Sequence, residues 1–105
     1  MLVLVSENMC SPENLRGLFE KLKNTKRDDL DISVAIKKTR DEKIKDCINE
    51  EKDKDIRIFF VDTPYSMRQL SEKQGSMQWK TVFGGARFEL IIHYVEEVKE
   101  KPILV

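Results

Sequence analysis

Cysteine and histidine are scarce in this chain of 105 residues, which has two cysteines, Cys10 and Cys47, and one histidine, His93. Two dispersed cysteines and a single histidine are too few for a usual tetrahedral zinc site. They also do not form the dense framework of a disulfide-stapled domain. We therefore expect free thiols in a reducing, cytoplasmic setting, with no metal and no cofactor.

Long apolar runs and an excess of one charge are also absent. No window approaches the roughly 18 apolar residues of a membrane span. The apolar start of the chain leads directly into Ser6 and Glu7 without a basic leader, so we expect no signal peptide. Lysine plus arginine equals aspartate plus glutamate, 19 against 19. A balanced charge disfavours general nucleic-acid binding, which usually needs a positive field.

The chain instead alternates short apolar runs with charged, amphipathic segments. Residues 2–5, 30–36 and 56–61 have the composition of strands, and the segments between them have helical periodicity. Helical crossovers allow successive strands to run parallel. At this length the apolar residues fit one core rather than two. We predict a single α/β domain over residues 1–105.

Capping residues mark three helix starts. The Ser11–Pro12 pair supplies an N-cap and a favourable first position for a helix. An apolar stripe follows at helical spacing, formed by Leu15, Leu18, Phe19 and Leu22. Thr39 and Glu42 have the spacing of a capping box, which predicts the start of a second helix. Ser66 and Gln69 have the same spacing and predict a short third helix.

The polarity of each strand predicts its place in the sheet. Residues 2–5 are continuously apolar, which is typical of a central strand. Residues 30–36 alternate apolar and polar side chains, which is typical of an edge. Residues 56–61 are apolar on nearly both faces, so we place them beside the first strand. The predicted order of this βαβαβ parallel core is 2-1-3.

The last third of the sequence has a different pattern. Residues 77–83 and 88–94 alternate in polarity around the Gly84–Gly85 pair, which predicts an antiparallel β-hairpin. The predicted sheet is therefore mixed. Residues 103–105 are apolar and are expected to add a short edge strand or a hydrophobic peg.

Two carboxylates follow predicted strands, Glu7 after the first and Asp62 after the third. Ligands of open α/β sheets bind beyond the carboxyl ends of the strands. With the order 2-1-3, Glu7 and Asp62 would face each other there, with Tyr65 nearby. We therefore name these three residues as a candidate ligand site. The alternative is a solvated Glu7 and an Asp62 that caps a turn.

The predicted hairpin carries the candidate partner surface, because tryptophan and arginine dominate protein-binding hot spots. The residues expected to bind are Trp79, Phe83, Arg87 and Phe88. The alternative is that Trp79 packs the sheet against the helices. Our leading functional expectation is a non-enzymatic interaction or regulatory domain that binds another protein or a second copy of itself.

Catalytic motifs are weak. Cys10 and Arg16 have the spacing of a phosphatase loop, but the segment has no glycine and Pro12 starts a helix within it. His93 has no evident partner. We therefore name no catalytic residue.

Two further functions stay open. One is nucleic-acid binding through basic helix ends around residues 21–27 and 37–45, where acidic residues are interleaved. The other is a small enzyme or ligand binder at the strand carboxyl ends.

Overall fold

The computed structural model describes residues 1–25, 31–51, 56–62, 65–72 and 101–105. These residues form four strands, three α-helices and one turn of 3-10 helix. Along the chain they are β1 (Leu2–Val5), the 3-10 turn (Glu7–Met9), α1 (Pro12–Thr25), β2 (Ile32–Lys37), α2 (Glu42–Glu50), β3 (Ile56–Val61), α3 (Met67–Glu72) and β4 (Ile103–Leu104).

The four strands form one parallel sheet in the order β3-β2-β1-β4. Val3 is paired with Val34 on one side and with Ile103 on the other. The predicted α/β class and the central position of β1 are therefore confirmed. The predicted order 2-1-3 is wrong, because β3 pairs with β2 rather than with β1. The crossovers through α1 and α2 both step in the same direction across the sheet.

The predicted edge position of β2 is also wrong, because β2 lies between β1 and β3. The residues that alternate with the large apolar side chains within β2 are Ser33 and Ala35, and both are fully buried. Small side chains at these positions leave room for a second layer on that face. By contrast, β3 exposes Arg57 and Phe60 and has only β2 as a neighbour among the described strands.

The helices cover the sheet on both faces. On one face, α1 and α2 pack against alternate strand residues in a cluster that includes Val3, Phe19 and Ile44. On the other face, α3 places Met67 and Leu70 in a second cluster with residues of β1, β2 and β3. The apolar stripe predicted for the first helix is buried, as expected.

The helix starts agree with the sequence signals at two of three places. Ser11 Oγ accepts the backbone N–H of Asn14 at 3.3 Å, at the start of α1. Ser66 and Gln69 form the reciprocal capping box of α3: each side chain accepts the other residue's backbone N–H, at 2.8 and 3.1 Å. The capping box predicted from Thr39 is wrong.

Asp41 is the N-cap of α2, and its carboxylate accepts the N–H of Lys43 at 2.9 Å. Thr39, two residues before this N-cap, instead accepts the N–H of Asp41 on its hydroxyl at 3.1 Å. A carboxylate at this position both satisfies a free N–H and lies at the positive end of the helix dipole. Asp41, rather than Thr39, is therefore the N-cap of α2.

The short edge strand predicted at residues 103–105 is confirmed as β4. Val105 donates its N–H to the carbonyl of Leu4 at 3.0 Å, and Ser6 donates to the carbonyl of Val105 at 2.8 Å. The predicted hairpin and its antiparallel pairing lie outside the described residues. Within the described ranges, no helix combines the length and apolar character needed to cross a membrane.

Candidate functional site

The carboxyl ends of β1, β2 and β3 lie side by side because the three strands are parallel. The chain leaves β1 through Ser6 and Glu7, β2 through Lys38 and Thr39, and β3 through Asp62. In open α/β sheets ligands bind beyond this edge, most often where the strand order reverses, which among the described strands is between β1 and β4. The polar residues that follow the strands therefore define the candidate site.

A cleft of about 220 Å³ opens at this edge between β1 and β2. We call it the carboxyl-edge cleft; it is lined by Val5, Glu7, Cys10, Ile44 and residues 37–39. Its volume is below the roughly 300–1,000 Å³ of sites for drug-sized ligands. The space therefore suits a compact molecule.

The floor and the rim of the cleft differ in polarity. Val5 and Ile44 are 1% and 5% exposed, so they form an apolar floor. The side chain of Lys38 is 67% exposed and stands at the rim, whereas that of Lys37 is 34% exposed. The cleft therefore combines an apolar floor with charged lining residues of both signs, Glu7 and the two lysines.

Short local elements position the residues on the two walls of the cleft. The 3-10 turn over Glu7–Met9 carries the chain away from β1, and Cys10 donates its N–H to the carbonyl of Glu7 at 3.2 Å. The opposite wall follows from the Asp41 cap, which starts α2 and so positions Ile44 one turn later. Burial of Ile44 against α1 and the sheet fixes that turn.

Two lysines of β2 and its following loop separate the predicted carboxylate pair. Lys37 Nζ lies 3.8 Å from Glu7 Oε1, and Lys38 Nζ lies 3.8 Å from Asp62 Oδ2. Glu7 Oε1 also accepts the backbone N–H of Met67 at 3.1 Å. Because β2 lies between β1 and β3, each carboxylate has its own lysine partner.

The three residues named from the sequence for a ligand site have different positions. Glu7 lines the cleft. Asp62 does not line the cleft; its side chain is 83% exposed and is ion-paired with Lys38, which does. Tyr65 is half-buried against the apolar cluster on the α3 face. The candidate partner residues of the hairpin lie outside the described residues, so the prediction for them is unchanged.

Sequence reasoning missed the floor of the cleft and the role of the lysines. Lys37 and Lys38 belong to the basic run at residues 37–45, but their place directly after the apolar residues of the predicted strand 30–36 is a usable signal. Val5 and Ile44 gave no signal beyond their core periodicity. Their meeting depends on how α2 packs over the sheet.

Cys10 and Arg16 belong to separate cavities. Burial, followed by the nearby carboxylates of Asp41 and Glu7, raises the pKa of the Cys10 thiol above its ordinary value. Arg16 lines a groove between α1 and α2, and its guanidinium lies 3.8 Å from Glu50 Oε2. This arrangement gives a protonated thiol in one cavity and an ion-paired arginine in another.

The described parts of the basic runs are interleaved with acids. Lys23 is paired with Glu51, and Lys45 lies 3.9 Å from Glu42. Exposed pairs of this kind are weak individually, but they prevent a continuous positive surface. Within the described ranges, no three histidine, cysteine or acidic side chains are grouped to hold a metal ion.

Comparisons with protein-family models, with curated proteins and with solved structures find no match to this chain. The functional proposal for this chain therefore rests on the chemistry of the carboxyl-edge cleft.

Proposed function

We propose that the protein binds a small ligand in the carboxyl-edge cleft. The observation that carries this proposal is the position of the cleft at the carboxyl ends of two adjacent parallel strands, β1 and β2. Concave sites with an apolar lining and a few converging polar groups are the usual form of small-ligand sites. Val5 and Ile44 supply the apolar lining here.

The polar groups of the cleft favour binding over catalysis. Glu7 is engaged by Lys37 and by the backbone of Met67, so it is held in place. Burial and neighbouring carboxylates keep the Cys10 thiol protonated at neutral pH, and a protonated thiol is a poor nucleophile. We therefore assign these side chains to recognition and positioning.

The test is a titration of the protein with a library of compact molecules, followed by amide NMR correlation spectra. Binding in the cleft should move the signals of Glu7, Cys10 and residues 37–39 together. The variant Cys10→Phe adds a ring to the cleft wall and should abolish those shifts. Asn14→Phe adds the same ring on the exposed surface of α1 and should not.

Circular dichroism establishes that both variants keep the fold before their spectra are compared. If compounds shift only residues remote from the cleft, or if Cys10→Phe binds as the wild type does, the proposal is wrong. If a variant does not fold, the amide shifts of the wild-type protein alone decide the outcome.

The partner-binding function predicted from the sequence is a separate proposal, because Trp79 and Arg87 lie outside the described residues.

A cytoplasmic location is likewise proposed. It is supported by two free thiols, Cys10 and the buried Cys47, since free cysteines are the usual state in a reducing compartment. The interleaved acids on α1 and α2 give nucleic-acid binding no comparable support.

A further inference from the structure

We infer that the ligand of the carboxyl-edge cleft is a zwitterion, an α-amino acid with a short aliphatic side chain, whose head group lies against the Glu7–Lys37 ion pair. This inference rests on the proposed function and names the chemical class of the ligand. The observation that carries it is one carboxylate and one ammonium group close together in a cleft that also has an apolar floor.

The Glu7–Lys37 pair presents two opposite charges to the same space. Both residues line the cleft, and Lys37 Nζ lies 3.8 Å from Glu7 Oε1. The two side chains are 44% and 34% exposed, so a ligand can reach both. A ligand with a single charge would be attracted by one member of the pair and repelled by the other. A zwitterion instead places each of its charges beside the opposite charge.

The pair has polar capacity left for such a head group. Within the described ranges, the second carboxylate oxygen of Glu7, Oε2, accepts no hydrogen bond, and 3.8 Å is too long for Lys37 Nζ to donate one to Oε1. An ammonium group has three donors. The ammonium group of the ligand can therefore donate to Oε2 while its carboxylate accepts from Nζ. The existing ion pair does not need to break.

The carboxylate of Glu7 is already held in position. Its Oε1 atom accepts the N–H of Met67, which is the first residue of α3 and is fully buried. A group that is ordered before binding loses less conformational entropy when the ligand arrives. Glu7 is thus the fixed partner of the head group.

The apolar floor accounts for the aliphatic side chain. Glu7 reaches toward α3 through Met67, whereas Val5 and Ile44 belong to the cluster that packs under α1 and α2. An amino acid that lies across the carboxyl end of the sheet has its head group at the pair and its side chain on this floor. The cleft volume of about 220 Å³ limits that side chain to a short one.

Lys38 is not required for this head-group site. Its side chain is 67% exposed, and its ion-pair partner, Asp62, does not line the cleft. Exposed charges interact weakly because solvent and salt screen them. Lys38 is therefore a control of the same residue type, one position away from Lys37.

The experiment compares valine, isovalerate and isobutylamine, each titrated into the full chain and followed by amide NMR spectra. The three probes share one branched aliphatic group, but isovalerate lacks the ammonium group and isobutylamine lacks the carboxylate. Valine should shift Glu7, Cys10 and residues 37–39, and should bind at least about tenfold more tightly than either analogue. Glycine has no side chain to place on the floor and should bind more weakly than valine.

Variants test the two members of the pair separately. Lys37→Met and Glu7→Gln should each weaken valine binding by about tenfold. Glu7→Gln keeps an acceptor for Met67, so it removes the charge with little change to the fold. Lys38→Met should change the affinity by less than about twofold. Equal losses for the two lysine variants would overturn the head-group assignment. If the variants do not fold, the comparison of probes on the wild-type protein decides.

The outcomes separate this inference from the proposed function. Isovalerate or isobutylamine binding in the cleft as tightly as valine would overturn the zwitterion but keep the site, and glycine binding as tightly as valine would overturn the aliphatic side chain. Cleft shifts from another compact molecule, but not from valine, would also overturn the inference alone. If no compact molecule shifts the cleft residues, the inference and the proposed function are both wrong.

Discussion

Glu7 and Met67 are 60 positions apart in the chain, yet the Glu7 carboxylate accepts the backbone N–H of Met67 at 3.1 Å. Met67 is the first residue of α3, where backbone N–H groups lack a helical acceptor. The same carboxylate oxygen lies 3.8 Å from Lys37 Nζ. One side chain therefore joins the segment after β1 to both β2 and α3.

Removing this carboxylate should destabilise the fold measurably. We expect Glu7→Ala to lower the free energy of unfolding by about 1 kcal/mol, since it leaves the N–H of Met67 without its acceptor. Glu7→Gln keeps an acceptor oxygen and should lose less. Urea titration measures both, with Glu20→Ala on the exposed face of α1 as the control. Equal losses for alanine and glutamine would show that the hydrogen bond contributes nothing.

The apolar stripe of α1, with four buried residues, should contribute more to stability than α2, which buries only Ile44 and Cys47. Leu18 is buried between α1 and the sheet, so we expect Leu18→Ala to cost roughly 2–5 kcal/mol through lost burial and the cavity left behind. The readout is the urea midpoint at an unchanged slope. A loss below about 1 kcal/mol would contradict the packing of this face.

Cys10 should react slowly with iodoacetamide at neutral pH. Burial and the charges of Asp41 and Glu7 raise its pKa above the ordinary 9.0, so the reactive thiolate forms only at higher pH. The rate is measured against pH in a Cys47→Ser background, with the double serine variant as the blank. Thiolate reactivity well below neutral pH, together with a phosphatase activity lost in Cys10→Ser, would contradict this view.

The same shift predicts how stability changes with pH. The folded thiol of Cys10 holds its proton more tightly than the unfolded one, because its folded pKa is raised. Its contribution to stability is therefore complete below pH 9.0 and is lost as the pH rises through the folded pKa. Cys10→Ser should show a smaller alkaline loss of stability in urea titrations than the wild type.

The hairpin residues remain a prediction from sequence. We expect Arg87→Ala or Trp79→Ala to weaken association with a partner or a second copy by roughly 2 kcal/mol or more. Sedimentation detects the association, and thermal unfolding of each variant separates binding from stability. If Arg87→Ala leaves association unchanged and Trp79→Ala only lowers the melting temperature, the hairpin is structural.

Local signals in the sequence were sufficient for part of the fold. The Ser11–Pro12 start of α1 and the reciprocal cap of α3 were predictable, because each depends on neighbours within a few positions. The apolar residues 103–105 indicated an edge strand or a hydrophobic peg, but the pairing that makes β4 a strand depends on distant residues of β1. The strand order was not predictable, since Ser33 and Ala35 look like an exposed face in the sequence although both are buried in the fold. Side-chain polarity reports burial, whereas strand order depends on the direction of each crossover.

The candidate site was predictable only in outline. The carboxyl edge and Glu7 follow from the strand pattern and from general rules for α/β sheets. The pairing of Glu7 with Lys37 and of Asp62 with Lys38 required the true strand order, with β2 between the two carboxylates. The floor of Val5 and Ile44 required the docking of α2.

The pairing of β4 with β1 joins two segments that are far apart in the sequence. Val3 and Ile103 come from distant parts of the chain, so their contact closes a very long loop and has a large entropic cost. Contacts of such high sequence separation slow folding. While β4 is undocked, one backbone edge of the apolar strand β1 is left open to pairing with another chain. Once paired, the two residues of β4 occupy the backbone edge of β1 at Val3 and Leu4, where another chain could otherwise pair.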